Sequence, residues 1–166
     1  QKAKGKTMTR VKQALNRIRD KIEGQTVLEV ACGCAEFSIA ASEIAKKVNC
    51  IDIDASRLNK EISACSNVAF DLIDATDMKY NDKTFDTVVI YNAIAHLDTV
   101  FPSVLKECDR VLKTEGGIFI ISSFKIDKAV IQEKLIPYLL NTHANYTYWA
   151  DKVFAYVQIG KMRELM

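Results

Sequence analysis

Proline is almost absent from this chain. Pro102 and Pro137 are the only two, and no stretch rich in glycine, serine or proline reads as a linker. With 166 residues and no internal repeat, the chain is expected to form a single domain over 1–166. A domain of that size buries roughly 70% of its unfolded surface. No apolar run reaches the ~18 residues that a membrane helix needs, and no signal-peptide pattern opens the chain. An excess of one charge is also missing. Lysine and arginine number 23 against 21 acidic residues, which is too balanced to argue for nucleic acid by bulk electrostatics. The basic residues that do bunch, Lys2, Lys4, Lys6, Arg10 and Lys12, are expected to form a solvated terminus.

Cysteine is present but unpatterned. Cys32, Cys34, Cys50, Cys65 and Cys108 are odd in number and lack paired C-x-x-C spacing, which argues against a disulfide framework and against zinc. No metal site is expected. All five read as small packing residues in a reducing, cytoplasmic setting.

What is there is a strict alternation of helix and strand periods. Thr7 to Glu23 places Val11, Leu15, Ile18 and Ile22 at helical spacing and stops at Gly24. The spacing predicts strands at 27–30, 49–54, 68–72, 85–91 and 116–124. It predicts helices at 36–47, 55–65, 99–112 and 127–140, with Asp54 and Asp127 as N-caps. The tail changes rhythm: residues 145–149 and 152–160 read as an antiparallel hairpin packed by Trp149, Tyr146, Tyr148 and Tyr156. Alternating strands and helices imply right-handed βαβ units and a mostly parallel sheet with helices on both faces. Such sheets bind ligands at the carboxyl ends of their strands.

The stretch "TVLEVACGCAEFSIA", Thr26 to Ala40, is a strand, a small-residue turn and a helix start. A dinucleotide fingerprint needs three glycines here; the positions hold Ala31, Gly33 and Glu36, and Glu36 would set a carboxylate beside a diphosphate. No GK[ST] follows, so a P-loop is excluded. The turn therefore favours a ligand poor in phosphate. Glu29 can face an amino group, Asp52 follows Gly33 by 19 residues and can accept from ribose hydroxyls, and Asp74 can accept from an adenine amine. Three acids after three consecutive strands suit S-adenosylmethionine.

With those residues in view, the sequence resembles the class I S-adenosylmethionine-dependent methyltransferase family, of the type 11 kind. "VLEVACGCAEF" resembles its first motif and "IDIDAS" its second. "DATDMKYNDKTFDTVVIYNAIAHL" resembles the third and fourth, and "DRVLKTEGGIFIISSF" the closing helix and strand. The resemblance implies a Rossmann-like, doubly wound, seven-stranded sheet with a C-terminal antiparallel hairpin. It implies a cofactor site of Glu29, Ala31, Gly33, Ala35, Asp52, Ile53, Arg57, Asp74, Ala75 and Tyr91, with Asn92 beside Tyr91 at the sulfonium end and His96 as catalytic candidate. Ile53 would pack on the adenine face, Arg57 would lay its stem along the base, and Ala75 would offer a backbone N–H. Ala31 and Ala35 depart from the family's glycines. Ala31 is expected to cost little at an extended strand end, whereas Ala35 costs more if its φ is positive.

Methyl transfer from a sulfonium is an in-line displacement with a neutral leaving group, so positioning outweighs acid–base chemistry. The absence of an evident catalytic dyad is consistent with that. The expected acceptor is a small molecule, since "YNAI" lacks the [ND]-P-P-[FY] pattern of DNA amino-methylases. Neither nucleic acid nor membrane is expected as a partner; a homodimer or partner subunit stays open. Two rivals remain: a non-catalytic S-adenosylmethionine-binding subunit or sensor, and a nicotinamide-dependent oxidoreductase.

Overall fold

The computed structural model describes residues 9–160. Lys2, Lys4 and Lys6, and the start of the first helix at Thr7, lie outside the described residues. Seven strands form one sheet: β1 (Thr26–Val30), β2 (Lys47–Asp52), β3 (Val68–Leu72), β4 (Phe85–Tyr91), β5 (Leu112–Ser122), β6 (Tyr146–Ala150) and β7 (Ala155–Gly160). Their order is β3-β2-β1-β4-β5-β7-β6. The first five run parallel, while β7 lies antiparallel between β5 and β6. The order reverses between β1 and β4, the place where a ligand crevice opens in such sheets.

The central strands are apolar on both sides because both faces are covered. Val88 and Ile90 of β4, with Ile118 and Ile120 of β5, pack in one core. That core also holds helix α3 (Phe101–Val111) through Val104, Leu105 and Cys108. Val89 and Tyr91 of β4, with Phe119 and Ile121 of β5, pack in the opposite core. There they meet helix α1 (Arg10–Arg17) and helix α2 (Glu36–Ala41). The two-residue period of the strands thus divides one apolar run between two cores.

The last helical rod joins α4 (Lys125–Val130), a π turn (Ile131–Leu135) and α5 (Ile136–Asn141). Ile136 N–H reaches back five residues to Ile131 O. Pro137 follows at the start of α5 and has no N–H to donate, so the wide turn absorbs the fault instead of breaking the rod. At the far edge, Trp149 stacks on Tyr156 at 4.9 Å with planes 5° apart. Arg17 lies 5.6 Å from the centroid of the Tyr156 ring.

Several boundaries differ from the sequence expectations. The helix expected over 36–47 stops at Ala41, because Ala45 and Lys46 must turn back for Lys46 N–H to reach Gln25 O at 2.9 Å and feed β2. The helix expected over 55–65 shrinks to a 3-10 segment, Lys60–Ala64, capped by Asn59 and not by Asp54. Asp54 caps only a turn, taking Ser56 N–H at 2.9 Å. Asp127 is not an N-cap either; it lies inside the first turn of α4, buried, where it accepts Ala95 N–H at 2.8 Å. Among the cysteines, Cys34 is exposed and Cys65 half-buried, while Cys32, Cys50 and Cys108 are buried.

Candidate functional site

The turn after β1 is built from left-handed residues. Ala31, Gly33 and Ala35 have φ of 58°, 57° and 67°. The chain alternates its hand over five residues and so folds the loop tightly over the carboxyl end of the sheet. The expectation that Ala31 sits in extended backbone is corrected: it too is left-handed. For a non-glycine residue such a conformation costs of order 1–3 kcal/mol, so the surroundings must hold the loop. Asp52, at the end of β2, does so: its Oδ2 accepts Gly33 N–H at 2.8 Å, and its Oδ1 accepts Asp54 N–H at 3.1 Å. Ala35 N–H closes the turn onto Cys32 O at 2.8 Å. A β-carbon at Gly33 would collide with the Arg57 guanidinium, which lies over the turn.

Glu29 faces inward. It is 1% exposed, and its Oε1 accepts Ser38 N–H at 3.1 Å and Ser38 Oγ–H at 2.7 Å. Ala35 precedes α2 with no side chain able to cap it. Glu29 therefore reaches across from β1 to satisfy an otherwise orphaned amide in the first turn of α2. Burial pushes its carboxyl up to about 8 from an ordinary 4.5, against the opposing pull of the Ser38 hydrogen bonds. Cys50 packs close by and shares a hydrogen bond with Cys32, which raises the Cys32 thiol and lowers that of Cys50.

A cleft of about 290 Å³ opens over the ends of β1, β2 and β3. Ala31, Asp52, Ile53, Asp74, Ala75 and His96 line it, with Leu97, Val100 and Val104 closing the apolar side. Ile53 is 75% exposed, an apolar shelf with nothing over it. Asp74 commits one oxygen only: Oδ1 accepts Thr76 N–H at 2.9 Å and Thr76 Oγ–H at 2.7 Å, which hold the carboxyl below its usual range. His96 is exposed on a 3-10 segment, Ile94–Leu97.

Six of the residues expected at the site therefore share one cleft. Glu29, Gly33, Ala35, Arg57 and Tyr91 do not line it. Gly33, Ala35 and Arg57 shape its floor through the turn, and Glu29 supports α2. Tyr91 is buried in the opposite core, its ring 5.5 Å from Phe37 and 6.1 Å from Phe154. The two-residue period puts it on the far face of β4 from Ile90, which no motif spacing could reveal. Burial pushes its hydroxyl above the ordinary range. Sequence reasoning missed Thr76, Leu97, Val100 and Val104; the last three are spaced helically around His96, and only packing shows that they face the cleft.

A larger hollow, about 650 Å³, lies at the opposite, amino ends of the strands near Lys21, Asp86 and Lys113. Part of its charge is already committed: Asp86 takes Thr26 N–H at 2.8 Å and pairs with Lys113 at 3.2 Å. The smaller cleft is the candidate site, because it lies at the carboxyl ends of the strands and gathers polar groups that remain available.

Comparison with known proteins agrees with the geometry. A family model described as a methyltransferase domain matches residues 27–116. A demethylmenaquinone methyltransferase of Staphylococcus epidermidis is 30% identical over 102 residues, covering 58% of this chain and 42% of that protein. The chain thus spans less than half the length of the curated relatives it matches. A SAM-dependent methyltransferase from Aquifex aeolicus superposes with a TM-score of 0.76 at 18% identity, covering 89% of each chain. The DhpI–SAH complex superposes at 0.75 with 19% identity, over 91% of this chain and 83% of that one. These structural likenesses establish the shared fold.

Two predictions follow the strain and the buried acid. Replacing Ala35 by glycine relieves a positive φ and should stabilise the fold by about 1 kcal/mol, read as a raised midpoint in urea without a change of slope. Glu29 holds its proton in the folded state and loses it in the unfolded one between pH 4.5 and 8. Its stability contribution is therefore full below pH 4.5 and is lost as pH rises toward 8. Glu29→Gln should raise Tm more at pH 8.5 than at pH 5 in calorimetric scans; an equal shift at both would place the acid elsewhere.

Proposed function

We infer the reaction from one premise: the chain belongs to the methyltransferase domain family, whose class I fold it has and whose cofactor is S-adenosylmethionine. The activity we propose is transfer of the cofactor's methyl group to a small-molecule acceptor. The observation that carries it is the pairing, in one cleft, of two partly available carboxylates with an exposed apolar shelf and an N–H without a partner. Asp74 Oδ2 and Ala75 N–H have no protein partner among the described residues. They present an acceptor and a donor side by side, as the edge of adenine requires. Ile53 offers its apolar face to the ring. Asp52 keeps lone pairs on both oxygens after bonding Gly33 and Asp54, enough to receive two vicinal hydroxyls. A diphosphate fits this carboxylate-lined cleft poorly, which disfavours a nicotinamide dinucleotide.

S-adenosylmethionine supplies an electrophilic methyl on a sulfonium that departs as a neutral thioether. The protein's share is positioning and desolvation. With adenine toward β3 and ribose toward β2, the strand order carries the reactive end toward β1 and β4. His96, on the cleft wall, is the proposed base for an acceptor whose nucleophilic atom carries a proton. Arg57 over Gly33 and the Asp52 bond keep the turn closed. The left-handed conformation of Ala35 is already attained, so its methyl group does not break the cradle.

The small-molecule acceptor is supported by the curated relative, a demethylmenaquinone methyltransferase. No helix among the described residues is long and apolar enough to cross a membrane, and we propose that the enzyme works in the cytoplasm.

Asp52→Ala should weaken S-adenosylhomocysteine binding at least tenfold by titration calorimetry, on the order of one lost charged hydrogen-bond set; unchanged affinity would remove Asp52 from the site. His96→Ala should slow S-adenosylhomocysteine release in an acceptor screen while leaving cofactor affinity unchanged; full activity would return His96 to the cleft wall.

A further inference from the structure

The chain from Asp74 to Asp77 carries the two groups proposed to read the adenine edge, yet it belongs to no helix or strand. Irregular backbone keeps its aim only when its ends are fixed. One end is fixed by the sheet: Ile73 N–H donates to Asp52 O at 3.0 Å. The other end is fixed by side chains. Glu107 and Arg110 lie three residues apart on helix α3 and so share a face. Arg110 Nε donates to Glu107 Oε2 at 2.9 Å, and Nη2 to Glu107 Oε1 at 3.0 Å. The remaining N–H groups reach across to the loop. Nη2 donates to Met78 O at 2.9 Å, and Nη1 to Tyr80 O and Asp82 Oδ1, each at 2.8 Å. All five N–H groups of the guanidinium are thus engaged. Glu107 Oε1 also accepts Met78 N–H at 2.8 Å, so both backbone polar groups of Met78 are held.

The same helix closes the cleft. Val104, one turn before Glu107, lines its apolar side, as does Val100 just ahead of α3. Wall and clamp are therefore parts of one rod. The gap between Val104 and the Asp74–Ala75 edge is set by how firmly Glu107 and Arg110 hold Met78 against α3. We propose that Glu107 and Arg110 are positioning residues that set the cleft's selectivity for adenine over a 6-oxopurine. Neither residue lines the cleft. The inference rests on the reading that adenine lies against Asp74 and Ala75. Adenine offers an amino donor and a ring-nitrogen acceptor, which match Asp74 Oδ2 and Ala75 N–H. A 6-oxopurine offers the reverse, a carbonyl and a ring N–H, and meets both groups with the wrong partner. Such a mismatch discriminates only while the loop is unable to shift and avoid it. The clamp on Met78 prevents that shift.

The test compares S-adenosylhomocysteine with S-inosylhomocysteine, whose base is the 6-oxopurine, by titration calorimetry. The wild type should prefer the adenosyl ligand roughly a hundredfold, about tenfold for each mismatched hydrogen bond. Arg110→Lys keeps the charge and loses the fork. It should cut the preference about tenfold, the share of one hydrogen bond, by weakening the adenosyl ligand alone. S-inosylhomocysteine, already mismatched, should bind as it does to the wild type. Arg110 is 32% exposed, so lysine leaves the core intact. Should that variant still fold poorly, Glu107→Gln takes its place. Its amide cannot pair both oxygens with the guanidinium, and the preference should fall about threefold. A preference that survives, or equal weakening of both ligands, would overturn the clamp and leave the reading of the cleft standing. No preference in the wild type would overturn that reading and the clamp together.

Discussion

One hydrogen bond, from Gly33 N–H to Asp52 Oδ2 at 2.8 Å, ties the end of β1 to the end of β2. The turn on which the cleft rests depends on it. The turn it closes has three left-handed residues in five, two of them alanines. Left to local preference, such a segment would relax toward ordinary backbone. Tied to a carboxylate that the sheet already fixes, it stays in place, and the strain is carried by a bond whose acceptor is charged. The same carboxylate also faces the cleft, so the group that shapes the cradle is the group proposed to grip its ligand.

The acids of the three strands divide by depth, and depth decides their work. Asp52 and Asp74 sit at the rim with oxygens to spare. Glu29, one strand further in, is sealed under α2 and spends its hydrogen bonds on Ser38. Burial disfavours its ionised form, so at neutral pH Glu29 behaves as a capping group for α2 more than as a charge. Its nearness to the turn still matters, because α2 starts where the turn ends.

The β4 and β5 ends complement the cleft without sharing its character. There the polar groups are locked together through Asn92, Ser122 and Asp127, and Phe124 and Ile126 lie exposed beyond them on either side of Lys125. An acid-lined cleft over β1, β2 and β3 beside a differently built edge over β4 and β5 is a division suited to bringing two unlike molecules together. The sheet order produces it, since β1 and β4 are neighbours although residues 31–84 separate them in sequence.

The strand spacing, the "VLEVACGC" turn and the acid 19 residues after Gly33 already determined the sheet, its parallel core and the nature of the ligand. These features are local, or repeat with the period of a strand, so they survive in a linear text. Tertiary structure decided which face each side chain took. Tyr91 went to the α2 side because strands alternate, and Glu29 turned to Ser38 because Ala35 left α2 uncapped. Asp127 went inward because Ala95 and Ser122 needed it. The helices expected over 36–47 and 55–65 were cut short because the chain had to return to β2 and β3. Contacts such as Asp127 with Ala95 and Lys46 with Gln25 rest on partners distant in sequence, and a hydrogen bond to such a partner exists only once the fold has brought the two together.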